Sequence, residues 1–276
     1  MPDLIASIVV YRSPLPALEK ALFHLRQAGE CAVAQGQLGA FKVVLVDNAS
    51  GPEYRRALQD LIRRWRQSLR LELILSPANG GYGLGHNQVA TQGGDFRLVL
   101  NPDVFLETKG LAAALEFLKE HPEVGVVVPR ALDGQGQRAY LCKRYPSVLV
   151  LALRGFAPAW LRAPFRSLLA AYEMRDLNWD RAQFDLSLVS GCCLLVRGRV
   201  WRQTGGFDPQ YFLYFEDFDF SLRARRIAKI AYLPDFQIVH LGGGAARKGI
   251  RHTIWFLRAA FRFFRQYGWR WIHPGD

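Results

Sequence analysis

The first half of the chain alternates short β-branched runs with stretches of helical apolar spacing, and no other feature constrains its fold as much. Leu4 to Tyr11 is an apolar, β-branched run broken only by Ser7, as expected of a strand buried on both faces of a parallel sheet. Leu15, Leu18, Leu22 and Leu25 then recur at spacings of three and four, one face of a helix. Phe41 to Val46 is a second strand that closes on the loop chemistry of Asp47-Asn48-Ala49-Ser50-Gly51-Pro52. A basic helix from Tyr54, a strand from Leu69 to Leu75 and a Gly-rich loop follow. Phe96 to Leu100 is a fourth strand, ending on Asn101-Pro102-Asp103, before a helix at Leu111, Leu115 and Leu118 and a strand at Val124 to Val128. Such alternation predicts an α/β fold with a doubly wound, mostly parallel sheet. Residues 130 to 185 break the rhythm; their Pro, Arg and aromatic content predicts an excursion over the active-site side. The pattern resumes with a strand (Leu186 to Val196), a helix (Glu216 to Arg226) and two short strands (Ile230 to Leu233, Gln237 to His240). A Gly-rich turn at Gly242-Gly243-Gly244 precedes a last amphipathic helix, Ile250 to Tyr267.

Composition narrows the class. With 276 residues, half of them apolar, the chain can bury a normal core as one large or two small domains. The N-terminus enters the strand pattern without a charged leader or cleavage site, and apolar runs such as Val148 to Leu153 are too short to span a bilayer. A cytoplasmic location is the expectation. Cys31, Cys142, Cys192 and Cys193 show no CxxC pair and read as reduced thiols. The net charge of +12 calls for nucleic acid, an anionic membrane or a phosphorylated substrate.

Ligands of open α/β sheets bind outside the carboxyl ends of the strands. Tyr11, Asp47, Asn79 and Asp103 all fall just past an expected strand or in the loop behind it. Asp47 suits an Asx turn and, equally, a carboxylate accepting from a pyrimidine N–H or ribose hydroxyl. Asn79-Gly80-Gly81-Tyr82-Gly83-Leu84-Gly85 precedes His86-Asn87, which are expected to open a helix and offer N–H groups to a phosphate. A plain connecting turn is the competing reading, and the run lacks the strand that a dinucleotide fingerprint needs before its first Gly. Asp103 supplies one carboxylate, and a hard cation bridging two phosphates needs only one or two. The Asn-Pro-Asp sequence also serves as a turn. Glu216-Asp217 lies in the densest acidic cluster of a basic chain, where acids complement a helix dipole. Asp219 is spaced to pair with Arg223, so Glu216 and Asp217 are the candidates for general-base work. His240 ends a strand and can serve as a metal ligand.

These stretches resemble glycosyltransferase family 2, particularly its rhamnosyltransferase-like branch, over nearly the whole chain. The resemblance rests on Val44 to Ser50 (VLVDNAS), Asn79 to Asn87 (NGGYGLGHN), Val99 to Val104 (VLNPDV), Ser190 to Arg197 (SGCCLLVR), Gly205 to Asp219 (GGFDPQYFLYFEDFD) and Val239 to Gly243 (VHLGG). It implies a GT-A fold with a nucleotide-sugar half (1–129), an acceptor and catalytic half (130–248) and a basic amphipathic C-terminal helix (249–276). By resemblance Val10 and Tyr11 line the base pocket, Asp47 bonds the nucleotide, and Asn79, Gly80, Gly85 and Asn87 approach ribose and diphosphate. Asp103 matches the last acid of the family's Asp-x-Asp metal signature, with Asn101 in place of the first, and His240 a metal or diphosphate contact. Asp217 matches the base, with Gly191, Phe212 and Glu216 beside the acceptor. Tyr11-Arg12 departs from the usual Tyr-Asn, and Ala245-Ala246 from the usual Ser or Thr. Arg247 and Lys248 then either take over diphosphate contacts or continue the basic tail.

The implied activity is inverting, Mg²⁺- or Mn²⁺-dependent sugar transfer from a nucleoside-diphosphate donor to a glycan or lipid-linked acceptor. L-Rhamnose from a deoxythymidine-diphospho donor is the branch's suggestion. A nucleic-acid-binding protein, a nicotinamide oxidoreductase and a non-catalytic sugar-nucleotide binder are the competing classes. The basic residues form no nucleic-acid motif, so no nucleic-acid partner is expected. In the tail, Ile250, Ile254, Leu257, Phe261, Phe264 and Trp271 recur at helical spacing beside Arg251, Arg258, Arg262 and Arg265. Such a helix either packs on the domain or lies peripherally on the inner, anionic face of a membrane.

Overall fold

The computed structural model describes residues 1–89, 92–242 and 249–275. β1 (Asp3–Val10) is buried at every residue but the first, because it pairs in parallel on both sides. Its neighbours are β2 (Ala40–Asp47), with β3 (Leu71–Leu75) beyond it, and β4 (Phe96–Leu100). The rest of the sheet comes from β5 (Val104–Leu106), β6 (Val124–Leu132), β7 (Arg138–Ala139), β10 (Cys193–Arg197) and β11 (Lys229–His240). Its order is β3-β2-β1-β4-β10-β6-β11-β5, with β7 on β6. β10 runs antiparallel to both β4 and β6 and joins the parallel N-terminal strands to the parallel pair β6 and β11. β8 (Cys142–Lys143) and β9 (Leu188–Val189) form a separate small sheet.

Helices cover both faces, as a mostly parallel sheet requires. On one face α1 (Leu15–Ala34), α2 (Pro52–Trp65) and α4 (Gly110–Glu120) bury Leu22, Leu58 and Leu115 against Leu4 and Ile8. α3 (Tyr82–Asn87) is a single short turn at the carboxyl end of β1. On the other face α8 (Gly198–Thr204) and α9 (Glu216–Arg225) pack Trp201 and Phe220 against Val99, Val126 and Leu194. α10 (Ile250–Tyr267) docks through Phe263 and Phe264 on Tyr145, Tyr211 and Phe215. Among the described residues no helix is long and apolar enough to cross a membrane.

Four expectations need correction. His86 and Asn87 close α3; the helix opens at Tyr82, because Gly81 at φ 88° turns the chain and the Phe212 carbonyl accepts the Tyr82 N–H at 3.0 Å. The apolar run 186–196 is two strands, because Ser190, Gly191 and Cys192 are drawn out of the ladder. Their backbone groups bond Leu141, the Asp217 carboxylate and Asn101 instead. Conversely, residues 229–240 are one strand, and an irregular register between Leu233 and Gln237 absorbs Pro234. The excursion at 130–185 contains α5 (Val148–Phe156), α6 (Ala159–Arg162) and α7 (Arg166–Tyr172). α5 starts where the Ser147 hydroxyl accepts the Val150 N–H, a cap obscured in the sequence by its Arg- and Pro-rich surroundings.

Candidate active site

The carboxyl ends of β1, β2, β4 and β11 gather the singled-out polar residues in an arc, built around the side chain of Asn48. Its amide donates to the Asn79 side chain and the Gly81 carbonyl at 2.9 Å each, and its oxygen accepts the Gly80 N–H at 3.2 Å. The loop after β3 is thereby tied to the end of β2. Gly81 lies so close to Phe212 that a Cβ there would sit 1.9 Å from its carbonyl oxygen. Only glycine satisfies both that approach and the positive φ. Asp47 is fully buried; one oxygen accepts the Ser50 N–H at 3.0 Å and the other faces Arg55 at 3.5 Å. Arg12, in the left-handed region at φ 52°, bends back so that its backbone and guanidinium donate to Ser50.

Farther along the arc, Asp103 approaches His240 at 3.4 Å, and the Asn101 amide lies 3.4 Å from the same ring nitrogen. Burial works to lower the His240 pKa, but hydrogen bonding to Asp103 and Cys192 outweighs it and holds the ring at about 10. Gly242 closes over the pair: a Cβ there would lie 2.6 Å from the Asp103 carboxylate and 2.7 Å from His240 Nε2. Asn101 Oδ1 is buried without a hydrogen-bond partner. Among the described residues no three His, Cys, Asp or Glu side chains converge as a metal cage.

Asp217, on the first turn of α9, accepts two backbone N–H groups, from Gly191 and Phe218, at 2.9 Å each. The Gly191 carbonyl in turn accepts the Tyr82 hydroxyl at 2.6 Å, so the glycine is held at both ends. Burial raises the Asp217 pKa above the ordinary carboxylate range, and the N–H bonds only partly oppose it. Glu216 is raised further, first by burial and then by the Asp217 charge, and its Oε2 has no partner. The two carboxyl groups share one buried site, so a charge on either opposes ionisation of the other. Tyr214 and Phe215, immediately before it, both occupy the left-handed region, at φ 73° and 64°. Consecutive strain of this kind concentrates at functional sites.

No family model matches the chain. It is 29% identical over 291 residues to an N-acetylglucosaminyl-diphospho-decaprenol L-rhamnosyltransferase of Mycobacterium tuberculosis, covering 99% of this chain and 88% of the relative. Among solved structures it superposes on S. aureus TarS in complex with UDP with a TM-score of 0.57 at 17% identity, over 89% of this chain and 62% of that one. GalNAc-T7 with UDP, GalNAc and Mn²⁺ gives 0.65 at 12% identity, over 96% of this chain and 48% of that one. The chain thus spans less than two thirds of either solved structure. The chain has the GT-A fold of these two proteins.

In this fold the residues singled out by sequence take unequal positions. Asn101, Asp103, His240, Gly191 and Asp217 form one connected path, since the Asn101 N–H also donates to the Cys192 carbonyl at 2.9 Å. Val10 is fully buried behind Asn48, whereas Tyr11 is 47% exposed at the rim. Gly85 packs on Val9. Asn87 spends both ends of its amide on the Phe207 backbone, at 2.7 and 3.0 Å, which makes it a scaffold group. Arg247 lies outside the described residues. Sequence reasoning passed over Asn48 and Tyr82, whose partners are up to 109 residues away and leave no local pattern. A cavity of about 480 Å³ lined by Arg197, Arg199 and Arg202 includes Pro2 and Asp95 at the opposite end of the strands.

Proposed function

We propose that this chain is a glycosyltransferase that moves a hexosyl unit, L-rhamnose from a deoxythymidine-diphospho donor, to a hydroxyl of a lipid-diphosphate-linked glycan, with inversion. The observation that carries the reading is Asp217: a partly accessible carboxyl group fixed by two N–H groups beside a second acid. Such a group removes the proton of an acceptor hydroxyl as that oxygen attacks the anomeric carbon, worth roughly 10²–10⁴-fold. One displacement without a covalent intermediate inverts the configuration. The name of the Mycobacterium tuberculosis relative, which gives both rhamnose and a diphospho-decaprenol acceptor, supports the substrate class.

Residues 1–129 would hold the donor, with Asp47 on the nucleotide and the Asn79 loop along ribose and diphosphate. Residues 130–248 would hold the acceptor, with Gly191, Phe212 and Glu216 flanking Asp217. The Asp103 carboxylate and His240 Nε2 face each other under Gly242, with the Asn101 side chain beside the ring nitrogen, and would hold Mg²⁺ or Mn²⁺ completed by phosphates once the ring gives up its proton. A divalent cation bound there would neutralise charge on the departing diphosphate. The Mn²⁺ in the GalNAc-T7 structure supports that assignment. Thermal unfolding with TDP, UDP and GDP, each with and without Mn²⁺, tests the donor side: TDP with Mn²⁺ should stabilise most. Product analysis with deoxythymidine-diphospho-rhamnose and a lipid-diphosphate-linked acceptor tests the transfer, and retention of configuration contradicts it.

A further inference from the structure

α10 carries two apolar faces. Ala259, Ala260, Phe263 and Phe264 are buried against the body. Ile250, Ile254, Leu257 and Phe261, spaced by four, three and four residues, lie on a second face and are 77, 43, 52 and 57% exposed. Arg251, Arg258 and Arg265, spaced by seven, are exposed along its flank. The stripe continues beyond the helix into exposed Trp269, Trp271 and Ile272. Phe261 meets the Trp269 ring, and Trp269 stacks on Phe264 and Trp271. This shelf is fixed, not frayed. The N–H groups of Val148 and Leu149 donate to the Arg270 and Trp271 carbonyls, and the Ser147 hydroxyl donates to the Ile272 carbonyl.

A contiguous, rigidly held apolar surface on an otherwise ordinary domain marks an interaction site. Its chemistry selects the partner. α10 contains four arginines and no Asp or Glu, in a chain of net charge +12, which opposes packing against a second copy. Aliphatic side chains in a stripe, tryptophans at one end and arginines along the flank match the boundary between headgroups and acyl chains. We propose that this outer face of α10, with Trp269, Trp271 and Ile272, docks on an anionic bilayer surface.

The inner side of the same helix supports the catalytic segment. Trp255 packs on Phe212 at 4.7 Å between ring centroids, His252 Nδ1 pairs with the Tyr214 hydroxyl at 2.8 Å, and Phe256 and Phe263 pack on Phe215. Docking would hold the Asp217 side of the site at the membrane, where a lipid-linked acceptor resides; this last step rests on the proposed transfer, whereas the docking does not.

Flotation of the full chain with vesicles of phosphatidylglycerol and phosphatidylcholine in equal parts, and of phosphatidylcholine alone, tests it. Binding is expected to the anionic vesicles at low salt and to be lost at high salt. Each arginine near the surface contributes about fivefold, so R251Q/R258Q/R265Q should weaken partitioning roughly a hundredfold. L257E/F261E, both exposed positions, should abolish it. Stabilisation by TDP with Mn²⁺ is read on the same samples: both variants should keep it, so a failure of docking and a failure of the donor reading appear separately. Absence of flotation at low salt, or equal flotation of L257E/F261E, overturns the proposal. So does sedimentation showing a wild-type dimer that L257E/F261E converts to monomer, since the stripe would then be a self-interface.

Discussion

Asp217→Asn separates the chemistry of the site from its architecture. Loss of the base should lower transfer by roughly 10²–10⁴-fold. Two stability effects oppose one another. Both carboxylate oxygens accept a backbone N–H, and an amide turns one of those acceptors into a donor facing Gly191 or Phe218, at a cost of about 1–3 kcal/mol. The other effect follows from burial, which raises the Asp217 pKa. A carboxyl raised in the folded state contributes stability that is present below its unfolded pKa and lost as pH rises through its folded one. The amide removes that loss. At neutral pH the two partly cancel, and the melting temperature should move by only a few degrees, at about 2–4 °C per kcal/mol for a chain of this size. The decisive measurement is melting temperature against pH, from the ordinary carboxylate range up to the raised value. Wild type should lose stability across that window, and the variant should show a flatter curve. TDP should stabilise both equally. Transfer within about tenfold of wild type, or identical slopes, would refute the reasoning; loss of the TDP response alone would move Asp217 into the donor site.

Glu216→Gln should keep transfer within a few-fold and leave the acid limb of kcat/KM in place, because burial and the Asp217 charge both oppose ionisation of Glu216. An infrared carbonyl band of a protonated acid, present at neutral pH in wild type and absent from the variant, checks this. Mn²⁺ and TDP should each raise the other's affinity, since Asp103 and His240 leave most coordination positions to phosphates and water; tight Mn²⁺ binding without nucleotide, or full activity in EDTA, contradicts it. Gly81→Ala should cost more in urea unfolding than Gly136→Ala. Both have positive φ, worth about 1–2 kcal/mol, but nothing lies near a Cβ at Gly136 whereas one at Gly81 meets the Phe212 carbonyl. Equal costs would deny the close approach.

The parallel half of the fold was legible because its strands are β-branched runs between helices of clear spacing, and α10 spans Ile250–Tyr267 as expected. What stayed hidden is set by distant partners. β5 is three residues long and is a strand only because Ile238 to His240 pair with it. Nothing local in the apolar run 186–196 foretells that Gly191 leaves the ladder to bond Asp217, 26 residues away. Asn87 sits where a phosphate-binding residue was expected, yet Gly206, at φ 74°, turns the chain so that Phe207 occupies its amide. Asp219 illustrates the opposite case. Its spacing to Arg223 predicted a structural pair, and the pair forms at 2.6 Å with the Tyr267 hydroxyl on the other oxygen.

The strained pair Tyr214 and Phe215 explains why these long-range contacts converge. Two non-glycine residues in the left-handed region cost roughly 1–2 kcal/mol each, so the surroundings must hold them. Three elements do. The Asn79 loop holds Phe212 through the Tyr82 N–H. α10 holds the Tyr214 hydroxyl through His252 and the Phe215 ring through Phe256 and Phe263. The β9–β10 turn holds Asp217 through Gly191, which Tyr82 fixes from the other end. Tyr82 thus belongs to two of the three supports, one through its backbone and one through its hydroxyl. Tyr82→Phe keeps the backbone bond and the ring while freeing Gly191. It should therefore impair the setting of Asp217 far more than the fold, a separation that no substitution at Gly81 can achieve.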